Sequence, residues 1–173
     1  MSIRRWVASL HAATFALIAG AIVPAGSAYG QTGQPLSIDV PVTIAQGNVV
    51  MDVGHAVFSG DTPFFVGDLS LLMNEYTAWK APSHIVVVFH GDAAYLVLND
   101  ASYDAVRHVS TGNPYSKVVA NWIAHGVQIE LCGATAAANH WGNADLLSGV
   151  KVDTDAMVRV TQLEQQGYTL IYQ

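Results

Sequence analysis

The sequence predicts an α/β fold, with a mostly parallel sheet of about five strands and helices on both faces in a three-layer arrangement. Strand-like and helix-like segments alternate along most of the chain. Residues 85–89 are apolar without interruption, whereas residues 127–131 alternate apolar and polar side chains. Alternation of the two element types is typical of parallel sheets, and an unbroken apolar run is typical of a strand buried on both faces.

The N-terminal residues are predicted to be an export signal. Arg4 and Arg5 precede an almost wholly apolar run over residues 6–23, and small residues at 24–28 suit cleavage by signal peptidase. We therefore expect residues 1–30 to be a signal peptide and the mature protein to be periplasmic or secreted. An uncleaved single-span anchor is the alternative.

The rest of the chain is predicted to form one domain. Residues 31–48 are predicted to be an extended lead, because residues 31–41 are rich in Gly, Pro, Ser and Thr. Residues 49–173 are numerous enough for one domain with a sizeable core. No segment in this part is apolar over a length that would cross a membrane.

Two strands and a helix are predicted in the first half of the domain. They are a strand over 49–58, a helix from about 61 to 79, and a strand over 84–89. Asp61 or Thr62 is expected to cap the helix, with Pro63 in its first turn. Apolar residues at steps of three and four then form one helical face.

The second half continues the alternation. We predict short helices over 93–98 and 102–108, a helix from 114 to 126, a strand over 127–131, a helix over 134–138, a strand near 150–152, a helix from 156 to 167 and a strand over 168–172. In the strand 127–131, Gln128 and Glu130 are expected to face solvent while their neighbours are buried. Asp153 and Asp155 are interpreted as caps of the last helix.

The charge balance argues against nucleic acid as a partner. The whole chain has 7 basic and 13 acidic residues. After removal of the predicted signal, the basic side chains are Lys80, Arg107, Lys117, Lys151 and Arg159. Such an acidic chain is unsuited to nucleic acid, and no basic cluster suits a lipid surface.

Cys132 is the leading candidate for a reactive residue, and it is the only cysteine in the chain. It lies where a predicted strand turns into a helix. Unpaired N–H groups at a helix start favour an anion, so we expect this thiol to ionise readily and to be reachable from solvent. Gly133 is expected to let a partner approach the sulfur. The alternative is a buried cysteine that packs as a small apolar residue.

His90 and His140 are further candidates. His90 ends a predicted parallel strand, so it is expected at the same rim as Cys132, as an acid/base or charge partner of the thiol. A loop histidine with one local hydrogen bond is the alternative. His140 and Trp141 are expected to cover the thiol. Cys132, His90 and His140 are conceivable metal ligands, but their spacing matches no metal-binding motif, so we predict no metal site.

Several motifs resemble the DsrE/DsrF-like family. They are the run Gly-Val-x-Ile-Glu-Leu-Cys-Gly-x-Thr at 126–135, Leu-Leu-Ser-Gly-Val-Lys-Val at 146–152, Leu-Glu-Gln-Gln-Gly-Tyr at 163–168, and the strand that ends at His90 and Gly91. The resemblance covers residues 49–172 and implies a compact α/β fold that assembles into trimers or hexamers. It also implies that Cys132 accepts sulfur as a persulfide.

The function predicted from these observations is that of an exported sulfur-handling protein. Cys132 would take sulfane sulfur from a donor and pass it to an acceptor thiol, with Gly91, Gly133, Thr135 and His140 beside the bound substrate and no organic cofactor. The alternative is a non-catalytic oligomeric binding or assembly module with the same fold, in which Cys132 is a packing residue.

Overall fold

The computed structural model describes residues 36–173; the predicted signal peptide lies outside this range. Residues 36–46 contain no helix or strand. The strands that follow are β1 (Gly47–Val53), β2 (Phe58–Ser59), β3 (Thr62–Pro63), β4 (Ser83–Phe89), β5 (Gln128–Cys132), β6 (Lys151–Asp153) and β7 (Thr169–Tyr172). The helices are α1 (Phe64–Ala78), α2 (Asp100–Arg107), α3 (Ser116–Ala124), α4 (Gly133–Ala138) and α5 (Ala156–Gln165). Gly91–Val97 and Asn143–Asp145 are 3-10 helices.

Five strands form one parallel sheet in the order β6-β5-β4-β1-β7. β4 pairs with β1 on one side and with β5 on the other, and all pairs in this sheet are parallel. The prediction of a parallel sheet of about five strands is confirmed. All five strands run the same way, so their carboxyl ends lie at one edge of the sheet.

Helices cover both faces of the sheet, as predicted. Val49, Val87 and Ile129 belong to a core cluster that also contains buried residues of α1, α3, α4 and the first 3-10 helix. The alternate residues of the same strands belong to a second cluster, which includes Ala156, Val160 and Leu163 of α5. In the described residues, α5 is the helix that packs against this second face.

Two predictions near the start of the domain are wrong. The first strand ends at Val53 instead of continuing to Phe58, because the chain leaves the sheet at Gly54, whose backbone lies against the His90 ring. Phe58 and Ser59 pair with β3 in a small antiparallel hairpin. Neither Asp61 nor Thr62 caps α1, since Pro63 occupies the cap position without a side-chain hydrogen bond.

The polar side of β5 was also predicted wrongly. Glu130 does not face solvent; the residue is 3% exposed. Arg159 of α5 donates to both Glu130 carboxylate oxygens, at 2.9 Å from Nε to Oε2 and 2.8 Å from Nη2 to Oε1. Gln128 also donates to Glu130 and accepts from Lys151 Nζ at 2.7 Å. The face is buried because α5 covers it, and the Glu130 charge is compensated by Arg159.

The helix capping prediction holds for one of its two residues. Asp155 precedes α5 and accepts hydrogen bonds from the Met157 and Val158 amides, as an N-cap does. Asp153 caps no helix; it ends β6 instead. Within residues 36–173, no helix has the length and apolar character needed to cross a bilayer.

The buried ion pair between β5 and α5 generates a stability prediction. Arg159→Met should lower the free energy of unfolding by about 3 kcal/mol, because Glu130 would be left buried without a counter-charge. The double variant Glu130→Leu/Arg159→Met should recover most of the loss. Urea unfolding followed by tryptophan fluorescence measures both. Lys117→Met, at an exposed position, is the control and should change stability by less than about 0.5 kcal/mol.

Candidate functional site

A row of polar side chains lies at the carboxyl ends of the sheet strands, on the face covered by α5. Cys132 of β5 is paired in register with Asp153 of β6. On the other side of Cys132, the Phe89–Leu131 pair places His90, the residue that follows β4, level with Cys132. Neighbouring strands are about 4.8 Å apart, so Asp153 and His90 each lie about one strand spacing from Cys132, on opposite sides of it.

Cys132 occupies the position predicted for it, between a strand and a helix. Its sulfur accepts hydrogen bonds from the Thr135 amide at 3.4 Å and from the Ala156 amide at 3.3 Å. Thr135 lies in the first turn of α4, and Ala156 is the first residue of α5. The N-termini of two helices therefore point at one sulfur atom.

The sulfur is not open at the rim, contrary to the expectation from the sequence. Cys132 is 4% exposed and belongs to the apolar cluster with Val50, Val86 and Val88. The first turn of α5 closes over it. The sequence suggested His140 and Trp141 as the cover, but Trp141 packs against the opposite core cluster and His140 is exposed.

Thr135 and Gly91 connect Cys132 to the end of β4. The Gly91 amide donates to Thr135 Oγ1 at 3.3 Å, and the Thr135 amide donates to the Cys132 sulfur. Gly91 has φ +51, and a Cβ there would approach the Gly54 carbonyl oxygen to 3.0 Å. The two residues thus hold the chain after β4 against the start of α4, beside the sulfur.

Gly133 has a different role from the one expected. A Cβ at this position would lie 2.4 Å from the Asp153 carbonyl oxygen and 3.1 Å from that of Thr154. The space beside Gly133 is therefore filled by the backbone that follows β6. The glycine permits this close approach and does not leave a path to the sulfur.

His90 pairs with an acidic residue on β1. Its Nε2 lies 2.8 Å from Oδ1 of Asp52, and both side chains are partly buried. No hydrogen bond joins His90 to Cys132 in the part of the chain that the structure describes. The sequence placed His90 at the correct edge but did not reveal Asp52, which orients the imidazole.

A cleft lies near the same edge, toward the opposite face. Its volume is about 510 Å³, and its lining includes Gly91, Asp92, Asn139 and Trp141 but not Cys132. Arg107 stacks on the Tyr95 ring at 4.4 Å in the wall of this cleft. Of the predicted substrate contacts, Gly91 lines the cleft and His140 does not.

Asp153 is the residue that sequence reasoning missed. Both carboxylate oxygens are buried, and neither has a hydrogen-bond partner among the described residues. Burial raises the pKa of Asp153 to about 6, with the Glu130 charge as the second cause; the Gly133 amide opposes the shift without reaching hydrogen-bond geometry. The sequence feature that could have indicated Asp153 is its position at the end of a predicted strand, a feature that Cys132 and His90 share.

The metal ligands considered from the sequence do not come together. The structure of residues 36–173 contains no group of three or more His, Cys, Asp or Glu side chains arranged to hold a metal ion. His140 is separated from the row of Asp153, Cys132 and His90, since it follows α4 and is exposed.

Comparison with known proteins identifies related sequences and folds. The model of the DsrE/DsrF-like family matches residues 48–172. The protein of unknown function MTH1491 from Methanobacterium thermoautotrophicum is similar in structure, with a TM-score of 0.54 and 19% identity over 74% of this chain and 100% of that one. The YchN protein of E. coli has a TM-score of 0.55 and 14% identity, with the same coverage of both chains. No curated protein matches the chain.

The buried carboxyl group of Asp153 makes stability depend on pH. Its pKa is about 6 in the folded protein and about 3.9 in an unfolded chain, so between these values the folded state retains a proton that the unfolded state has released. The stability contributed by this group is present below about pH 4 and is lost as the pH rises through 6. Asp153→Asn should therefore be about 1–3 kcal/mol more stable than the wild type above pH 6.

Urea unfolding at a series of pH values between 4 and about 7 measures this difference. Asp155→Asn is the matched control, because it removes a carboxylate two residues away and retains a capping side chain. The control should keep the wild-type dependence on pH. Equal dependence in the Asp153→Asn variant would contradict the assignment.

Proposed function

Since this chain belongs to the DsrE/DsrF-like family, we propose that it is an exported sulfur-handling protein in which Cys132 accepts sulfane sulfur as a persulfide and passes it to an acceptor thiol. The observation that supports this proposal most directly is the pair of backbone amides that donate to the Cys132 sulfur. Donors aimed at one atom stabilise negative charge on it, both in an attacking thiolate and in a persulfide.

The chemistry requires no organic cofactor. The Cys132 sulfur attacks the outer sulfur of a persulfide donor, R–S–SH, and forms a new S–S bond. The S–S bond of the donor breaks, and its electron pair leaves on the inner sulfur as RS⁻. The outer sulfur then passes to an acceptor thiol by a second attack of the same kind.

Access to the sulfur depends on the first turn of α5. The Ala156 amide lies directly over Cys132, so a donor reaches the sulfur when this turn moves. Opening is local, because the Asp155 cap and the first three residues of α5 are the groups involved. Burial in the closed form protects a persulfide from oxidation outside the cytoplasm.

Assembly into a trimer or hexamer is part of the proposal. The apolar side chains of Val152, Met157 and Val158 are 40%, 78% and 64% exposed. Val152 belongs to the edge strand β6, on the face opposite α5, and Met157 and Val158 belong to the first turn of α5. A neighbouring subunit that covers both β6 and the start of α5 would bury these side chains and control access to the sulfur.

The alternative is a binding or assembly module in which Cys132 only packs. It is favoured by one observation, the 4% exposure of Cys132 in an apolar cluster. In that case the fold and the assembly surface would be retained without sulfur chemistry.

Sulfur transfer is tested by mass spectrometry after treatment with polysulfide. The wild type should gain the mass of one sulfur atom, removable by a thiol reductant, and Cys132→Ser should gain none. The double variant Ser59→Cys/Cys132→Ser moves the single thiol to the exposed hairpin of β2 and β3. Equal labelling of this displaced thiol and of the wild type would show general thiol reactivity and contradict a dedicated site.

Alkylation separates the two functions without any knowledge of the substrate. The chain has one cysteine, so incorporated iodoacetamide reports on Cys132 alone. The sulfur carrier should react in the folded state, at a rate set by opening of the first turn of α5. Reaction only after addition of denaturant would favour the packing role.

A further inference from the structure

We propose that the Asp153 carboxyl group is the proton partner of the Cys132 thiol, accepting the thiol proton as the sulfur reacts and returning it to the leaving group. The inference deepens the proposed function and rests on it. Asp153 is assigned no role by the family resemblance, and the sequence suggested only helix capping.

The two side chains are neighbours across adjacent strands. Cys132 and Asp153 are register partners in the parallel pair of β5 and β6. Side chains at paired positions point to the same face of a sheet, and the strands are about 4.8 Å apart. The face is the one covered by α5, so both groups lie in the same enclosed space.

The hydrogen-bonding needs of the two groups are complementary. The Cys132 sulfur accepts from two backbone amides, which leaves its own S–H without an acceptor among the described hydrogen bonds. Asp153 has two buried oxygens and no donor. Buried polar groups are nearly always paired, and an unpaired one is costly. The S–H of Cys132 is the donor that lies one strand away.

The other charged groups around Asp153 are already engaged. Glu130 on β5 is bound by Arg159 of α5, and Lys151 on β6 donates to Gln128. Asp155, in the loop before α5, accepts from two amides of the helix. These groups leave Asp153 as the carboxyl group at Cys132 that is free to take up a proton.

The proton affinity of Asp153 suits this exchange. Burial, followed by the Glu130 charge, raises the pKa of Asp153 to about 6. A carboxyl group with an ordinary pKa would hold a proton too weakly to return it near neutral pH, and proton transfer is most efficient when the pKa is close to the working pH. The enclosed position thus turns an aspartate into an effective acid and base.

The step balances without an added oxidant or reductant. The thiol proton moves to Asp153, and the thiolate attacks the outer sulfur of R–S–SH. The donor S–S bond breaks with its electron pair on RS⁻, and Asp153 returns its proton to give RSH. The net change is Cys–SH plus R–S–SH to Cys–S–SH plus RSH, with Asp153 unchanged.

The rate of sulfur uptake tests the proposal. At pH 7, Asp153→Asn should take up sulfur from a small persulfide about 10²-fold more slowly than the wild type, the range expected for loss of general acid–base catalysis. The wild-type rate should show an inflection near pH 6 from the titration of Asp153, and this inflection should be absent from the variant. Glu164→Gln, which removes one carboxylate at an exposed position near the end of α5, should keep the wild-type profile.

If the Asp153 carboxylate acted only by repelling negative charge on the Cys132 sulfur, the opposite result would be expected. Removal of its charge would favour the thiolate, so Asp153→Asn would react as fast as the wild type or faster. That outcome would overturn the proposal. The asparagine variant retains the size of the side chain and removes an unpaired buried charge, so it is expected to fold.

Infrared titration tests the pair independently of sulfur transfer. The carbonyl band of a protonated carboxylic acid should titrate near pH 6 in the wild type and be missing from Asp153→Asn. In Cys132→Ala, the midpoint should rise by about 0.5–1 unit, because an apolar methyl group replaces the polar thiol beside the carboxyl group and disfavours its ionised form. An unchanged midpoint would overturn the pairing. If the wild type takes up no sulfur, the proposed function fails while this titration still decides the pairing.

Discussion

Helix α5 packs on one face of the sheet within the described residues, and the polar groups beside it must find partners there. Glu130 meets this requirement through Arg159, and the Cys132 sulfur meets it through two backbone amides. Asp153 is the carboxyl group left without a donor. The candidate chemistry of the protein follows from this enclosure, because burial under α5 changes what each of these groups does.

The same enclosure explains why the sulfur is both protected and prepared. A thiol at an exposed strand end would be oxidised or alkylated by many reagents. Under α5 it is shielded, yet the amides of α4 and α5 remain pointed at it. Movement of the first turn of α5 would both expose the sulfur and withdraw one of its two donors. In the closed form the sulfur therefore has both donors but is shielded, whereas opening would expose it and leave it one donor.

The end of β4 has contacts on both faces of the sheet. His90 is held by Asp52 of β1 on the side of α5, whereas the open cleft near Gly91 and Trp141 does not include Cys132 in its lining. The Gly91 amide is nevertheless tied to Thr135, which also holds the sulfur. Changes at the end of β4 can thus reach Cys132 through one hydroxyl group.

The amino-acid sequence by itself determined the parallel α/β fold and the position of Cys132 between a strand and a helix. Both follow from local patterns, namely unbroken apolar runs and the change of period from two to nearly four. The sequence did not predict the environment of residues whose contacts come from distant segments of the chain. Glu130 looked like a solvent-facing strand residue and Asp153 like a helix cap, because nothing local shows that Arg159 of α5 reaches Glu130 or that the start of α5 closes over Cys132. Tertiary packing, that of α5 above all, decided that Glu130 is paired, that Cys132 is buried and that the pKa of Asp153 is raised to about 6. The physical reason is that desolvation acts through tertiary contacts, which sequence periodicity does not encode.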